Sequence, residues 1–151
     1  MTATELSQKV NVHDPSNKIR DPTERYRKGL GGVLAEYAVR KYIDIETSKR
    51  NLKVSLSSEN ESGIGQIDLI IEVNGKKKTV EIRSSFFYKT SFERLFTVAS
   101  IIGWYKTQFK PDEYIKDFYL FVIHFYHPAD IESLLKKEFV FILWEEHLKN
   151  F

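Results

Sequence analysis

The chain has 151 residues, a formal net charge of +2 and a hydrophobic content of 42%. These values predict one folded domain with a single core and argue against a disordered chain. The lack of cysteine excludes a disulfide framework and a thiolate metal site. No apolar stretch reaches the ~18 residues of a membrane span, and the N-terminus lacks a signal-peptide core, so we expect a cytoplasmic protein without membrane contact.

The first part of the chain changes from polar to helical spacing. Residues 1–22 contain two prolines and no sustained period, which predicts an N-terminal arm before a domain over residues 23–151. Apolar residues then recur at three- and four-residue steps over residues 23–42 and predict a helix. Gly29, Gly31 and Gly32 weaken its first half and favour a start as late as Gly32. A strand is predicted over residues 51–57.

Asn74-Gly75 is the strongest turn signal in the chain, because a two-residue hairpin turn needs positive φ at both positions. Residues 65–73 and 76–83 flank it and read as the two strands. The turn pairs Val73 with Lys76, so opposed residues have numbers that sum to 149.

The remaining elements alternate between helix and strand. Two continuous apolar runs are typical of strands buried on both faces, and a proline opens the short helix between them. The predicted elements are a helix over 91–109, a strand over 119–123, a helix over 129–137, a strand over 139–143 and a last helical turn over 145–151.

The hairpin register places two acids opposite each other, Asp68 and Glu81. Like charges directly opposed on one face of a sheet are destabilising, because their β-carbons lie only ~5 Å apart. A shared divalent cation such as Mg²⁺ is the simplest reason for the pair; a shared proton, a nearby Arg or two solvent-facing charges on an edge hairpin are the alternatives. The opposite hairpin face carries Ile67, Leu69, Ile71, Val80 and Ile82, an apolar layer that fixes the register.

The element order, with Glu36 in the first helix, Asp68 in the second strand and Glu81-Ile82-Arg83 in the third, resembles the restriction-endonuclease-like, or PD-(D/E)XK, nuclease superfamily. The resemblance implies an α/β fold with a central mixed sheet flanked by helices and an αβββαβ core. It also implies that Glu36, Asp68 and Glu81 bind Mg²⁺ or Mn²⁺, and the Ile82 carbonyl is a further candidate ligand.

The chain departs from that family at Arg83, where the usual residue is Lys. Arginine does not lose its proton in proteins, so Arg83 cannot be the general base, but it can hold the scissile phosphate as a bidentate donor. Gln66, predicted opposite Arg83, is a candidate to position the guanidinium or the substrate.

The resemblance predicts a Mg²⁺-dependent endodeoxyribonuclease that binds DNA, as a homodimer or as part of a larger DNA-processing complex. The alternative is a nuclease-like fold without catalysis that binds DNA or protein. Phe86, Phe87 and Tyr88 are read first as core residues and second as base-stacking residues, and a metal site at His124 and His127 is disfavoured. Further candidate substrate contacts are Ser84, Lys76, Lys77 and Lys78.

Overall fold

The computed structural model describes residues 8, 10, 12–13, 17–59, 67–89, 91–94, 115–134 and 142–146. These residues form an α/β fold with a mixed sheet in the order β1-β2-β3-β4-β5, against which one long helix packs. None of the described helices has the length and apolarity that a membrane crossing requires. The elements are α1 (Pro22–Lys49), β1 (Val54–Glu59), β2 (Ile67–Val73), β3 (Lys76–Phe86), a 3₁₀ turn (Phe92–Arg94), β4 (Phe118–His124), a second 3₁₀ turn (Pro128–Asp130), α2 (Ile131–Leu134) and β5 (Ile142–Glu146).

Helix α1 begins earlier and ends later than the predicted range of 23–42. The Asp21 carboxylate accepts a hydrogen bond of 2.8 Å from the Glu24 N–H, and Pro22 occupies the first turn, where a missing N–H costs nothing. The expected start near Gly32 is therefore wrong. Gly31 has a packing role, since a Cβ there would lie 2.8 Å from Cζ of Phe86. Close approach to β3 explains why a weak helix former stands inside the helix.

The predicted hairpin is confirmed in turn and register. Asn74 and Gly75 have φ values of +53° and +75°, and the recorded β2–β3 pairs run from Val73–Lys76 to Leu69–Val80. Each pair sums to 149. The register therefore places Asp68 and Glu81 on one face of the sheet.

Strand β3 is longer than predicted, because its second neighbour extends it. It runs to Phe86 instead of ending at Arg83, and it pairs in parallel with β4 from Val80–Phe118 to Phe86–His124. Ser84 and Ser85 are consequently strand residues.

The core lies between α1 and one face of the sheet. It is built from Ala35 and Val39 of the helix and from Leu69, Val80 and Val122 of three strands, all almost fully buried. Ile71 and Ile82 pack against it, which confirms the predicted apolar face of the hairpin. Because strand residues alternate in direction, Asp68, Glu81 and Arg83 belong to the opposite face.

The C-terminal strand corrects one prediction. Glu145 and Glu146 lie in β5, antiparallel to β4, where a last helical turn was expected. Pairing with β4 overrides their helix propensity. Residues 135–141 and 147–151 lie outside the described residues, as does most of the helix predicted over 91–109. Before α1, residues 13 and 19 form an isolated bridge, and the Arg20 N–H donates to the Val12 carbonyl at 2.8 Å.

Candidate active site

Strands β2 and β3 part at Asp68. A continued ladder would place Ile67 opposite Ile82, but the recorded β2–β3 pairs stop at Leu69–Val80, while Ile67 pairs with Glu59 of β1. The Ile82 N–H donates instead to Oδ2 of Asp68, at 2.8 Å. This bond fixes the Asp68 carboxylate against β3 beside Glu81.

Glu81 is buried, with 7% of its surface exposed. Its strand β3 lies between β2 and β4. The alternative that Glu81 is a solvent-facing charge on an edge hairpin is therefore wrong. Nε of Arg83 lies 3.8 Å from Oε1 of Glu81. A buried carboxylate is costly unless it is compensated by charge and hydrogen bonds. Arg83 supplies part of that compensation from two residues along the same strand.

The Arg83 guanidinium lies over an aromatic ring. Its Cζ is 5.0 Å from the ring centroid of Tyr119, which is fully buried in β4. Only 14% of the Arg83 side chain is exposed. The ring and Glu81 therefore hold the guanidinium on the face that carries the acids, where a phosphate could meet it.

Glu36 lies on α1, which packs against the face opposite Asp68 and Glu81. One helical turn further, Nη2 of Arg40 donates to the Asp68 carbonyl oxygen at 3.4 Å, so this part of α1 borders the end of β2. No three His, Asp or Glu side chains in the described ranges form a group that could hold a metal together. The assignment of Glu36 as a ligand stays a prediction.

The two hairpin acids fit a hard divalent cation by donor chemistry. Mg²⁺ in proteins is commonly held by one or two carboxylates together with substrate phosphates and water. The Ile82 carbonyl points to the same side of β3 as its N–H, which is the side of Asp68. Gln66 lies outside the described residues.

The lysines of the hairpin tip differ in their contacts. Lys76 and Lys77 are exposed, whereas Nζ of Lys78 lies 2.8 Å from Oδ1 of Asp117. Partial burial alone would raise the pKa of Asp117, but the hydrogen bonds from Lys78 and Thr79 outweigh it and lower the pKa. Lys78 therefore ties the start of β3 to the start of β4.

The two histidines have structural contacts. His124 is buried, with Nε2 2.9 Å from the Gly31 carbonyl oxygen and Nδ1 3.2 Å from the Tyr126 hydroxyl. One neutral tautomer satisfies both contacts, with Nε2–H donating and Nδ1 accepting. Nδ1 of His127 accepts from the Ala129 N–H at 3.1 Å. Both rings serve packing and capping in these contacts.

An open groove beside the end of β3 was missed by sequence reasoning. Its wall combines the start of α1, the residues after Arg83 and the loop before α2, which are far apart along the chain. The aromatic run at Phe86, Phe87 and Tyr88 is visible in the sequence, but its position beside the basic residues of α1 is not. The groove is lined by Val10, Arg20, Asp21, Glu24, Arg27, Lys28, Ser84, Ser85, Phe86, Phe87, Tyr88, Lys89, His127 and Pro128.

The chain is similar to an uncharacterized protein of Methanocaldococcus jannaschii, MJECS01, with 29% identity over 135 residues. The match covers 85% of this chain and 49% of that protein, so the chain spans about half the length of this relative. No protein-family profile and no solved structure matches the chain.

Proposed function

We propose that this chain is a divalent-metal-dependent endodeoxyribonuclease with the restriction-endonuclease-like αβββαβ core. Asp68 and Glu81 hold Mg²⁺ or Mn²⁺ with the Ile82 carbonyl, and Glu36 stays the third candidate ligand that the resemblance implies. The observation that carries the proposal is the burial of Glu81 on the face of Asp68, where β2 leaves β3. Two neighbouring acids, one of them buried, are tolerated when positive charge compensates them.

In the proposed reaction each residue of the site has its own role. The cation, when bound, supplies an activated water at neutral pH and neutralises phosphate charge. The Ile82 N–H keeps the Asp68 carboxylate in place through its 2.8 Å bond. The Arg83 guanidinium has only donor groups, so it donates to the scissile phosphate and cannot act as the base. Tyr119 and Glu81 orient that guanidinium before substrate arrives.

The second candidate is a nuclease-like fold that binds DNA or protein within a DNA-processing complex and does not cleave. The observation that favours it is the position of Arg83, 3.8 Å from Glu81 and over Tyr119. In this case the guanidinium compensates Glu81 without any metal, and the acid pair is structural.

Plasmid nicking with and without Mg²⁺ or Mn²⁺ separates the two candidates. Asp68→Asn is the sharpest variant, because the amide oxygen can still accept from the Ile82 N–H while the charge is lost. We expect nicking to fall about 100-fold or more, since charge stabilisation by a metal contributes several kcal/mol. Glu72→Gln, on the same hairpin face opposite Lys77, is the matched control and should leave nicking unchanged. Metal-dependent nicking at the wild-type rate by Asp68→Asn would refute the ligand assignment.

A substitution at Arg83, where the chain differs from the resembled family, gives a second test. Arg83→Lys restores the residue that the resembled family uses at this position, and we expect it to preserve or raise the nicking rate. The lysine loses the bidentate geometry but keeps the charge and gains a titratable amine. A wild-type protein that nicks no plasmid and takes up no metal by calorimetry would leave the binding module as the better description.

A further inference from the structure

The groove has an open volume of about 1020 Å³ and lies at the C-terminal end of β3, where its wall includes Ser84, the residue after Arg83. We propose that this groove holds a single-stranded segment of the DNA that the nuclease acts on. The inference rests on the proposed nuclease function and deepens it by naming the substrate class, which is DNA with a single-stranded part beside the cleavage point.

The charge of the groove wall suits a phosphate backbone. Asp21 caps α1, and Oε1 of Glu24 lies 3.5 Å from Nζ of Lys28 and 3.7 Å from Nε of Arg20, so both acids of the wall are engaged. Within the part of the chain that is described, no carboxylate lies at ion-pair distance from Arg27 or Lys89. These two cations are the groups that a phosphate would meet.

The aromatic residues of the wall distinguish a single strand from a duplex. Tyr88 is 40% exposed, its ring stands edge-on to His127 at 4.5 Å, and Nζ of Lys89 lies 5.7 Å from its centroid. An exposed ring beside a cation is the platform on which unpaired bases stack. Phe86, by contrast, packs against His124 and Tyr126, so the core interpretation holds for it. Bases of a duplex are already stacked and have no free face for Tyr88.

The acid pair and the groove are close together along β3, although Arg83 and Ser84 belong to different faces of the strand. Arg83 and Phe86 are three residues apart in an extended strand, or about 10 Å, which is about three nucleotides of stacked strand. Ser84 and Ser85 both line the groove, and Ser85 is exposed. Because successive strand residues alternate in direction, their side chains leave β3 on opposite faces. Their hydroxyls can donate to phosphate oxygens without reading sequence.

Fluorescence anisotropy with a labelled oligo(dT) of about 12 nucleotides tests the groove in EDTA, where no metal-dependent cleavage occurs. We expect Tyr88→Ala to weaken binding about 10-fold, because stacking on one aromatic contributes roughly that factor. Tyr42→Ala, an exposed tyrosine on α1 outside the groove, is the matched control and should bind as the wild type does.

A salt titration provides a readout that a structural role would not move. The slope of log K against log salt is negative, and Lys89→Gln should make it less negative by about 0.7, the value for one phosphate contact on a single strand. Lys53→Gln, at an exposed lysine outside the groove, should leave the slope unchanged. The comparison of Lys89→Gln with Lys53→Gln, both at exposed lysines, keeps the proposal testable if circular dichroism shows that Tyr88→Ala impairs folding.

Three outcomes would overturn the proposal. They are equal affinity for oligo(dT) and a blunt duplex of the same length, tighter binding of oligo(rU) than of oligo(dT), and losses no larger for Tyr88→Ala and Lys89→Gln than for their controls. Oligo(dT) binding without cleavage of either a plasmid or a duplex with a single-stranded tail, in Mg²⁺ or Mn²⁺, would refute the nuclease function and leave the groove standing. Nicking without oligo(dT) binding would refute the groove proposal and leave the nuclease function standing.

Discussion

Two neighbouring glycines of α1 provide a matched test of how the helix packs on β3. A Cβ at position 31 would lie 2.8 Å from Cζ and 2.9 Å from Cε2 of Phe86, whereas a Cβ at position 32 meets no described atom within 4 Å outside its own stretch of helix. Inside a helix, alanine is favoured over glycine by about 1 kcal/mol. We therefore expect Gly32→Ala to raise the free energy of unfolding by about 1 kcal/mol.

Gly31→Ala gains the same helix propensity but must displace the Phe86 ring. That ring is held by His124, at a centroid distance of 4.9 Å, and by Tyr126, at 5.8 Å. Overpacking of this kind costs about 1–3 kcal/mol, so we expect Gly31→Ala to be less stable than Gly32→Ala by about that amount. Urea denaturation followed by far-UV circular dichroism measures both. Equal stability of the two variants would refute the close contact between α1 and Phe86.

Two further predictions concern His124 and the metal. Burial lowers the pKa of His124 and outweighs its hydrogen bond to the Gly31 carbonyl, so the unfolded chain takes up the proton first. Stability should fall as the pH drops below about 6.5, and His124→Gln should flatten that part of the pH profile of the unfolding free energy. Mg²⁺ at about ten times its dissociation constant should raise the Tm of the wild type and of Arg83→Gln by about 4 °C in calorimetry. A similar rise in Asp68→Asn would contradict the assigned ligand.

Local chemistry was sufficient to predict the hairpin. The Asn74-Gly75 turn fixed the register, and the apolar alternation of Leu69, Ile71 and Val80 fixed the face, so the placement of Asp68 and Glu81 on one face followed from adjacent residues alone. The recorded pairs stop at Leu69–Val80, so the predicted direct pairing of Asp68 with Glu81 is not among them. Both signals act within a single hairpin, between residues that are close in sequence, where sequence patterns are most informative.

The errors arose where distant segments decide the structure. The extension of β3 to Phe86 depends on parallel pairing with β4, and the strand at Glu145 depends on the same neighbour. The start of α1 was misplaced because the reason for Gly31 is a ring more than 50 residues away. His124 could not be recognised as a core residue, since its hydrogen-bond acceptor is 93 positions earlier in the chain.

The groove was missed for the same reason. Arg27, Tyr88 and His127 belong to three separate segments, and each alone has an ordinary explanation as a surface or packing residue. The sequence shows which residue types are present, but only the fold brings these three residues together around the groove. Sequence patterns therefore predicted the acid pair more completely than the surface that would bind its substrate.

Glu81 separates the two candidate functions more directly than any other residue. Its carboxylate is buried, and the 3.8 Å distance to Arg83 is long for a charge-assisted hydrogen bond, so this contact compensates only part of the cost of burial. In a pure binding module, removing the guanidinium by Arg83→Gln would leave Glu81 without its nearest recorded cation, and Mg²⁺ would not recover the lost stability. In a nuclease, a cation held by Asp68 and Glu81 supplies the compensation instead. Recovery of Arg83→Gln by Mg²⁺ therefore distinguishes a metal site from a structural ion pair, independently of any cleavage assay.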